Sequence, residues 1–313
     1  MSLTAKFILF QTVILIPFFA GYRLRDRLAK RDAIARNLIR FNLLFVDALI
    51  VFWTVWGLDI GIHLLSLPIA GLLLAFLGLG LGFIFMPALK LDREGRRTFL
   101  ISASLANHGF TLGGFLCYLL LGETGLGLSF IFISYFIPYV FLFIFPFAGT
   151  ASKKETHIKP IDYILNLRNM PLYSLVIAVI LALLGIGRPA IDFPMDLLLM
   201  ISIAGYYGSL GLTSNLREFG LLRRANLILA SIKFILIPVI TVLILLLFDL
   251  PDTIRAVIII QSCMPAAIYS VVTAILFDLD VRLASGLFVF NTIIFLIIVL
   301  PALFLLKDYF LKI

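Results

Sequence analysis

Apolar residues run in long blocks separated by short charged or Gly/Pro-bearing stretches. Ten blocks qualify, at approximately 5–22, 38–56, 65–87, 98–121, 125–148, 169–187, 194–214, 226–248, 253–276 and 283–306. Crossing about 30 Å of hydrocarbon takes about 20 residues as a helix, so each block is long enough to span a bilayer. The intervening stretches, such as Arg23 to Arg36, Leu89 to Thr98 and Ser152 to Asn169, are too short to form an extramembrane domain. The pattern predicts an all-α integral membrane protein with ten transmembrane helices.

Composition agrees. Hydrophobic residues make up 62% of the 313 and charged residues 13%, against about half and a quarter in soluble domains. A soluble chain of this composition would expose apolar surface it could not cover. The 30 Phe suit lipid-facing surfaces. The net charge of +8 raises the question of nucleic acid, but the basic residues sit in small clusters between spans, as membrane topology requires. Nineteen of the 25 Lys and Arg follow spans 1, 3, 5, 7 and 9, five lie on the other side, and Lys233 is inside span 8. The positive-inside rule then places the odd loops in the cytoplasm and both termini outside, in the plasma (cytoplasmic) membrane. The first apolar run leads into a basic cluster with no small-residue cleavage site, so it is expected to remain as span 1. Cys117 and Cys263 lie within apolar runs and are expected to be buried, reduced thiols.

The basic Ser152 to Asn169 segment divides the chain into five spans plus five, residues 1–150 and 151–313. Five is odd, so the second half inserts upside down relative to the first, giving two inverted five-helix repeats as in many secondary transporters. The fourth span of each half is interrupted: Asn107-His108-Gly109-Phe110-Thr111-Leu112-Gly113-Gly114 in span 4, and Gln261-Ser262-Cys263-Met264-Pro265-Ala266-Ala267 in span 9. Glycine is costly inside a helix and proline removes a backbone hydrogen bond. Unpaired backbone at membrane depth needs protein or a wet cavity to satisfy it. The matched breaks predict discontinuous helices 4 and 9 that cross at the bilayer centre. Their half-helix N-termini would form an anion site. Its candidate residues are Asn107, His108, Gly109, Thr111 and Gly113 from one break and Gln261, Ser262, Pro265 and Ala266 from the other. The competing reading is that the breaks only kink and pack helices.

Several stretches also resemble the auxin efflux carrier family, including its bacterial malate and malonate permease-like members. NHGFTLGGFLCYLLLGETGL is similar to the family's Asn-x-Gly-Phe-x-Gly-x-Pro followed by Gly-Glu, and NMPLYSLVIAVILALLGI to its Asn-Pro-led sixth span. KFILIPVI resembles the Lys-to-Pro segment of span 8, and MPAAIYSVVTAILFDLDVRLAS the ninth span and its exit loop. The resemblance implies a fold related to bile-acid sodium symporters and sodium/proton antiporters. In it spans 1, 2, 6 and 7 form a scaffold, and spans 3–5 and 8–10 a core carrying the crossed helices. It implies a small organic anion as substrate and alternating access. Leu112 and Gly114 stand where the family has Gly and Pro, Asp47 where span 2 has Pro, and Gly208 where span 7 has Pro.

Asp47 in span 2 and Lys233 in span 8 are ionisable side chains in hydrocarbon, costly unless paired, hydrated or neutral. Both lie roughly 10–13 Å from the cytoplasmic surface by helical rise. They are candidates for a pair or for ion coupling, with snorkelling the alternative for Lys233. His108 either titrates and couples transport to protons or hydrogen-bonds loosened backbone. Asn291 and Thr292 in span 10 are candidate ligands for a coupling cation, and Tyr206 and Tyr207 for the cavity lining. Ser270 and Thr273 share a helix face, and hydroxyls so placed often bond back to the preceding turn. Gly78 and Gly82 have the spacing of a helix contact. Glu123, Asp278 and Asp280 read as solvated carboxylates at span ends, and Ile158 to Arg168 as an interfacial segment.

The leading expectation is a secondary transporter of a small organic anion, coupled to H+ or Na+ if coupled at all, without cofactor or metal and without nucleic acid as partner. A homodimer stays open. A sensor that keeps the transporter fold is one alternative. An intramembrane lipid-modifying enzyme is another, but the carboxylates are scattered and no HExxH or nucleophile elbow is present. A channel would need a filter motif that is not visible.

Overall fold

A computed structural model describes residues 3–109, 111–151, 169–213 and 223–307. Among these the regular elements are helices: α1 (Thr4–Leu24), α2 (Arg31–Trp56), α3 (Ile62–Ala88), α5 (Gly113–Gly149), α7 (Met195–Thr213), α8 (Arg223–Leu245) and α11 (Val281–Leu305) are long and apolar enough to cross a membrane. Shorter helices are α4 (Arg93–Ser104), α6 (Met170–Leu183), α9 (Asp252–Ser262) and α10 (Ile268–Leu276). Large apolar side chains face outward along them, among them Ile62 at 82%, Ile84 at 70% and Leu305 at 75% exposure. In water such a surface would aggregate; in lipid it is the natural exterior. The expected interfacial segment from Ile158 to Arg168 lies outside the described residues.

α5 has 37 residues, about 55 Å at 1.5 Å per residue, far more than one bilayer crossing needs. It is not straight: Gly122 sits at φ 69°, ψ −159°, breaking the helix inside the run. That region is essentially closed to side chains with a Cβ.

Four helices contain a π-turn: Asn42–Val46 in α2, Val140–Ile144 in α5, Ile232–Leu236 in α8 and Phe295–Val299 in α11. Three end two residues before a proline, namely Pro146, Pro238 and Pro301. A proline ring clashes with the carbonyl four residues earlier, and that carbonyl falls within the π-turn in each case. The widened turn gives the ring room. The turn at 42–46 has no such proline.

The helices group into two compact units that interleave both halves of the chain. One unit comprises α1, α2, α6, α7 and the stretch Gly109–Ile131. In it α1 and α7 run so close that a Cβ on Gly21 would collide with the carbonyl oxygen of Gly208, and one on Gly211 with that of Phe18. Trp53 of α2 stacks on Phe193, with ring centroids 4.4 Å apart and 8° between planes. Arg188 lies over the Trp53 ring and pairs with Glu123 at 3.0 Å, so Glu123 holds an ion pair where a solvated carboxylate was expected. The other unit comprises α3, α4, α5 from Phe132 onward and α8 to α11. There Gly78 of α3 abuts the Ala103 carbonyl of α4 and Gly82 the Ala103 and Leu100 side chains, the helix contact their spacing predicts. Asp280 is not merely solvated: it caps α11 by accepting from the Leu283 N–H at 2.9 Å.

Candidate functional site

The site is built where α4 and α9 end. Pro265 has no N–H and pushes its predecessor away from helical angles, so α9 stops at Ser262. α4 stops at Ser104 and Leu105 turns extended (φ −81°, ψ 131°). The first break therefore opens two residues before Asn107, ahead of the glycines that announce it.

The two extended stretches pair. Ala106 and Ala266 form an antiparallel bridge, the Asn107 N–H donates to the Pro265 carbonyl at 2.8 Å, and the Ala267 N–H donates to the Leu105 carbonyl at 3.2 Å. Each broken helix thus satisfies the backbone groups its partner exposes, as hydrocarbon demands. The Lys233 ammonium from α8 donates to the same Leu105 carbonyl at 3.1 Å. Lys233 is 1% exposed, so it points inward and does not snorkel. A cation there meets the carbonyl-rich, negative end of α4.

A cavity of about 10 Å³ borders this point, room for roughly one water. Ser104, His108, Lys233 and Ser262 give it polar lining, and Leu74, Ala106, Ile237 and Met264 line the rest. Ser104 Oγ donates to the Ala75 carbonyl at 3.0 Å and meets the Tyr139 hydroxyl at 2.6 Å. His108 Nδ1 and the Tyr135 hydroxyl lie 3.0 Å apart, and the ring also hydrogen-bonds the Gln261 backbone. Lys233 has three N–H donors, and its one acceptor among the described residues leaves two for a guest.

Of the expected residues, Asn107, His108, Gln261, Ser262, Pro265 and Ala266 converge here within one unit, while Gly109, Thr111 and Gly113 belong to the other. Gly109 accepts from the Gly114 N–H in a local turn, and the Thr111 carbonyl faces the Tyr207 hydroxyl at 3.5 Å. Asn291 and Thr292 turn back on their own helix, to the Leu287 and Phe288 carbonyls. Ser262, Ser270 and Thr273 do likewise. Asp47 and Lys233 each have their own partners: Ser202 and Tyr206 for Asp47, Leu105 for Lys233. Both cysteines are buried. Ser104, Tyr135 and Tyr139 escaped the sequence reading, since a serine or tyrosine inside an apolar run is an ordinary packing residue until its partners are known.

The broken ends of α4 and α9 thus pair beside a buried cation, and the described residues hold seven membrane-capable helices. The membrane transport protein family matches residues 9–302. The chain belongs to this family, the auxin efflux carriers. It is an integral membrane transporter, and the resemblance drawn from the four sequence stretches holds across nearly the whole chain. A comparison with curated proteins finds no match.

Proposed function

We propose that this protein is a secondary transporter that moves a small organic anion by alternating access. The observation that carries the reading is the Lys233 ammonium, buried beside a polar cavity with two donors unspent among the described residues. A carboxylate oxygen on that cavity would take its hydrogen bonds from the Lys233 ammonium; the Ser104 and Ser262 hydroxyls donate to the Ala75 and Ile259 carbonyls and would join only by turning away from them. Charge-assisted bonds of this kind are about twice as strong as neutral ones. The cavity holds a single oxygen-sized group, so a substrate enters only when the lining opens. Burying an anion beside a buried cation offsets part of the desolvation of each.

The topology goes with this reading as ten crossings in two inverted repeats. Counting α4 with the first part of α5 as one broken crossing, and α9 with α10 as another, yields ten. Each half then has its break in the fourth crossing and a proline-linked π-turn in the fifth, at Pro146 and Pro301. Both termini lie outside the cytoplasm, and a proton or Na+ is the candidate coupling ion.

Uptake of radiolabelled dicarboxylates, indole carboxylates and steroid carboxylates into proteoliposomes, with and without a proton or Na+ gradient, tests the proposal. Saturable flux of at least one anion supports it. Absence of flux across the panel, with correctly inserted protein, sinks it.

A further inference from the structure

A second polar centre lies in the unit formed by α1, α2, α6 and α7, built around Asp47. Asp47 is fully buried, and both its oxygens are engaged by α7: Oδ1 accepts from Ser202 Oγ and Oδ2 from the Tyr206 hydroxyl, each at 2.6 Å. Ser202 and Tyr206 are four residues apart and share a helix face. Asn42 supports them by donating from Nδ2 to the Ser202 carbonyl at 2.7 Å. A Cβ on Gly205 would sit 2.6 Å from that same nitrogen, so glycine there makes room for the amide.

The helix is deformed to assemble this group. The π-turn Asn42–Val46 carries a hydrogen bond from the Asp47 N–H to the Asn42 carbonyl, stacking Asn42 and Asp47 on one face. In an unbroken α-helix five residues rotate the side chain about 140° away. The other three π-turns accommodate a proline; this one accommodates a polar cluster. π-turns of that kind concentrate at functional sites.

We propose that Asp47 is a proton-binding site, taking up and releasing a proton with Ser202 and Tyr206 as its hydrogen-bonding cradle. Two observations select a proton. The partners of Asp47 are uncharged, and a buried carboxylate without a cation is costly until it is neutralised. A metal ion does not fit between these oxygens: ligands held about 2.3–2.6 Å from a cation stand farther apart than 2.6 Å from each other. Distances of about 2.5–2.7 Å belong to O–H···O bonds of a carboxylate.

Neighbouring groups leave the proton to Asp47. From α7 the facing titratable side chain is Tyr206; Tyr207 goes to the Thr111 carbonyl. α6 carries no charge, and Tyr173 is its one titratable residue. On α2 the nearest charge is Arg40, seven residues and about 10 Å away. A proton from the aqueous phase forms an O–H on Oδ1. The Ser202 hydroxyl then stops donating, becomes the acceptor, and turns its own hydrogen to the Leu198 carbonyl four residues earlier, the usual acceptor of a helical serine. No covalent bond breaks within the protein. The Ser202 bond of the α2–α7 link reverses while Tyr206 goes on donating to Oδ2, which gives a carrier a means of sensing the proton gradient. That last link rests on the carrier reading; the proton site does not.

The test is infrared difference spectroscopy on the full chain in liposomes, stepping between about pH 5 and about pH 8. Expected is a carboxylic C=O band that appears on acidification, shifts in D2O, vanishes in Asp47→Asn and moves in frequency in Ser202→Ala and Tyr206→Phe. A band that persists in Asp47→Asn, or no band in the wild type, overturns the proposal. Should Asp47→Asn fail to fold, an unmoved band in Tyr206→Phe overturns it equally. Silent uptake with the band present would remove the carrier reading and leave the proton site standing.

Discussion

Replacing Lys233 by Met separates a binding role for this side chain from a structural one. The lysine contributes one charge-assisted hydrogen bond, to the Leu105 carbonyl at 3.1 Å, worth about 1.5–3 kcal/mol. Holding its ammonium in a buried site costs several kcal/mol, on the order of the penalty found for other buried ions. Methionine keeps most of the apolar stem and packs adaptably. The Leu105 carbonyl is not orphaned either, because the Ala267 N–H still reaches it at 3.2 Å. The terms nearly cancel or favour the mutant, so the unfolding free energy should stay within about 1 kcal/mol of wild type or rise. Binding of an anion should lose an interaction of about 1.5–3 kcal/mol, a factor of roughly 10–150. Thermal unfolding in detergent and uptake into proteoliposomes measure the two quantities on the same preparation. A Lys233→Met protein that melts several degrees lower yet transports at the wild-type rate would refute the reasoning and make Lys233 a structural pin.

Other changes probe the frame around the site. Gly78→Ala drives a methyl group into the Ala103 carbonyl and should cost about 1–3 kcal/mol through overpacking. Gly80→Ala, with nothing within 4 Å, should gain up to about 1 kcal/mol; the two melting temperatures should therefore move in opposite directions. Gly122→Ala meets no steric neighbour, but its φ of 69° and ψ of −159° should cost about 1–3 kcal/mol of backbone strain, read as a lower unfolding midpoint. Tyr135→Phe removes the 3.0 Å contact with His108 and should cost about 1 kcal/mol. It should also change the exchange rate of the His108 ring proton by NMR.

Much of the membrane architecture was legible because bilayer solvation acts residue by residue. Long apolar blocks, clustered cations and the Pro265 and glycine-bearing breaks each announce themselves locally, and the structure puts helix ends at both breaks. The exact opening of the first break was not legible. Leu105 is a good helix former, and it turns extended because the Ala267 N–H and Lys233 reach its carbonyl. Nor was the π-turn in α2, which has no proline to signal it and depends on what Asn42 and Asp47 meet on α7.

The sequence by itself therefore determined the solvent of this protein, its helical class, the position of its broken helices and the presence of Asp47 and Lys233 inside spans. Only the tertiary structure decided what those two ionisable groups bond to. Their partners lie 155 and 128 residues away, for the Ser202 and Leu105 contacts. Local preference governs where a helix forms or stops. A buried charge answers to whichever distant donor or acceptor packing brings within about 3 Å, and that is a property of the folded chain alone.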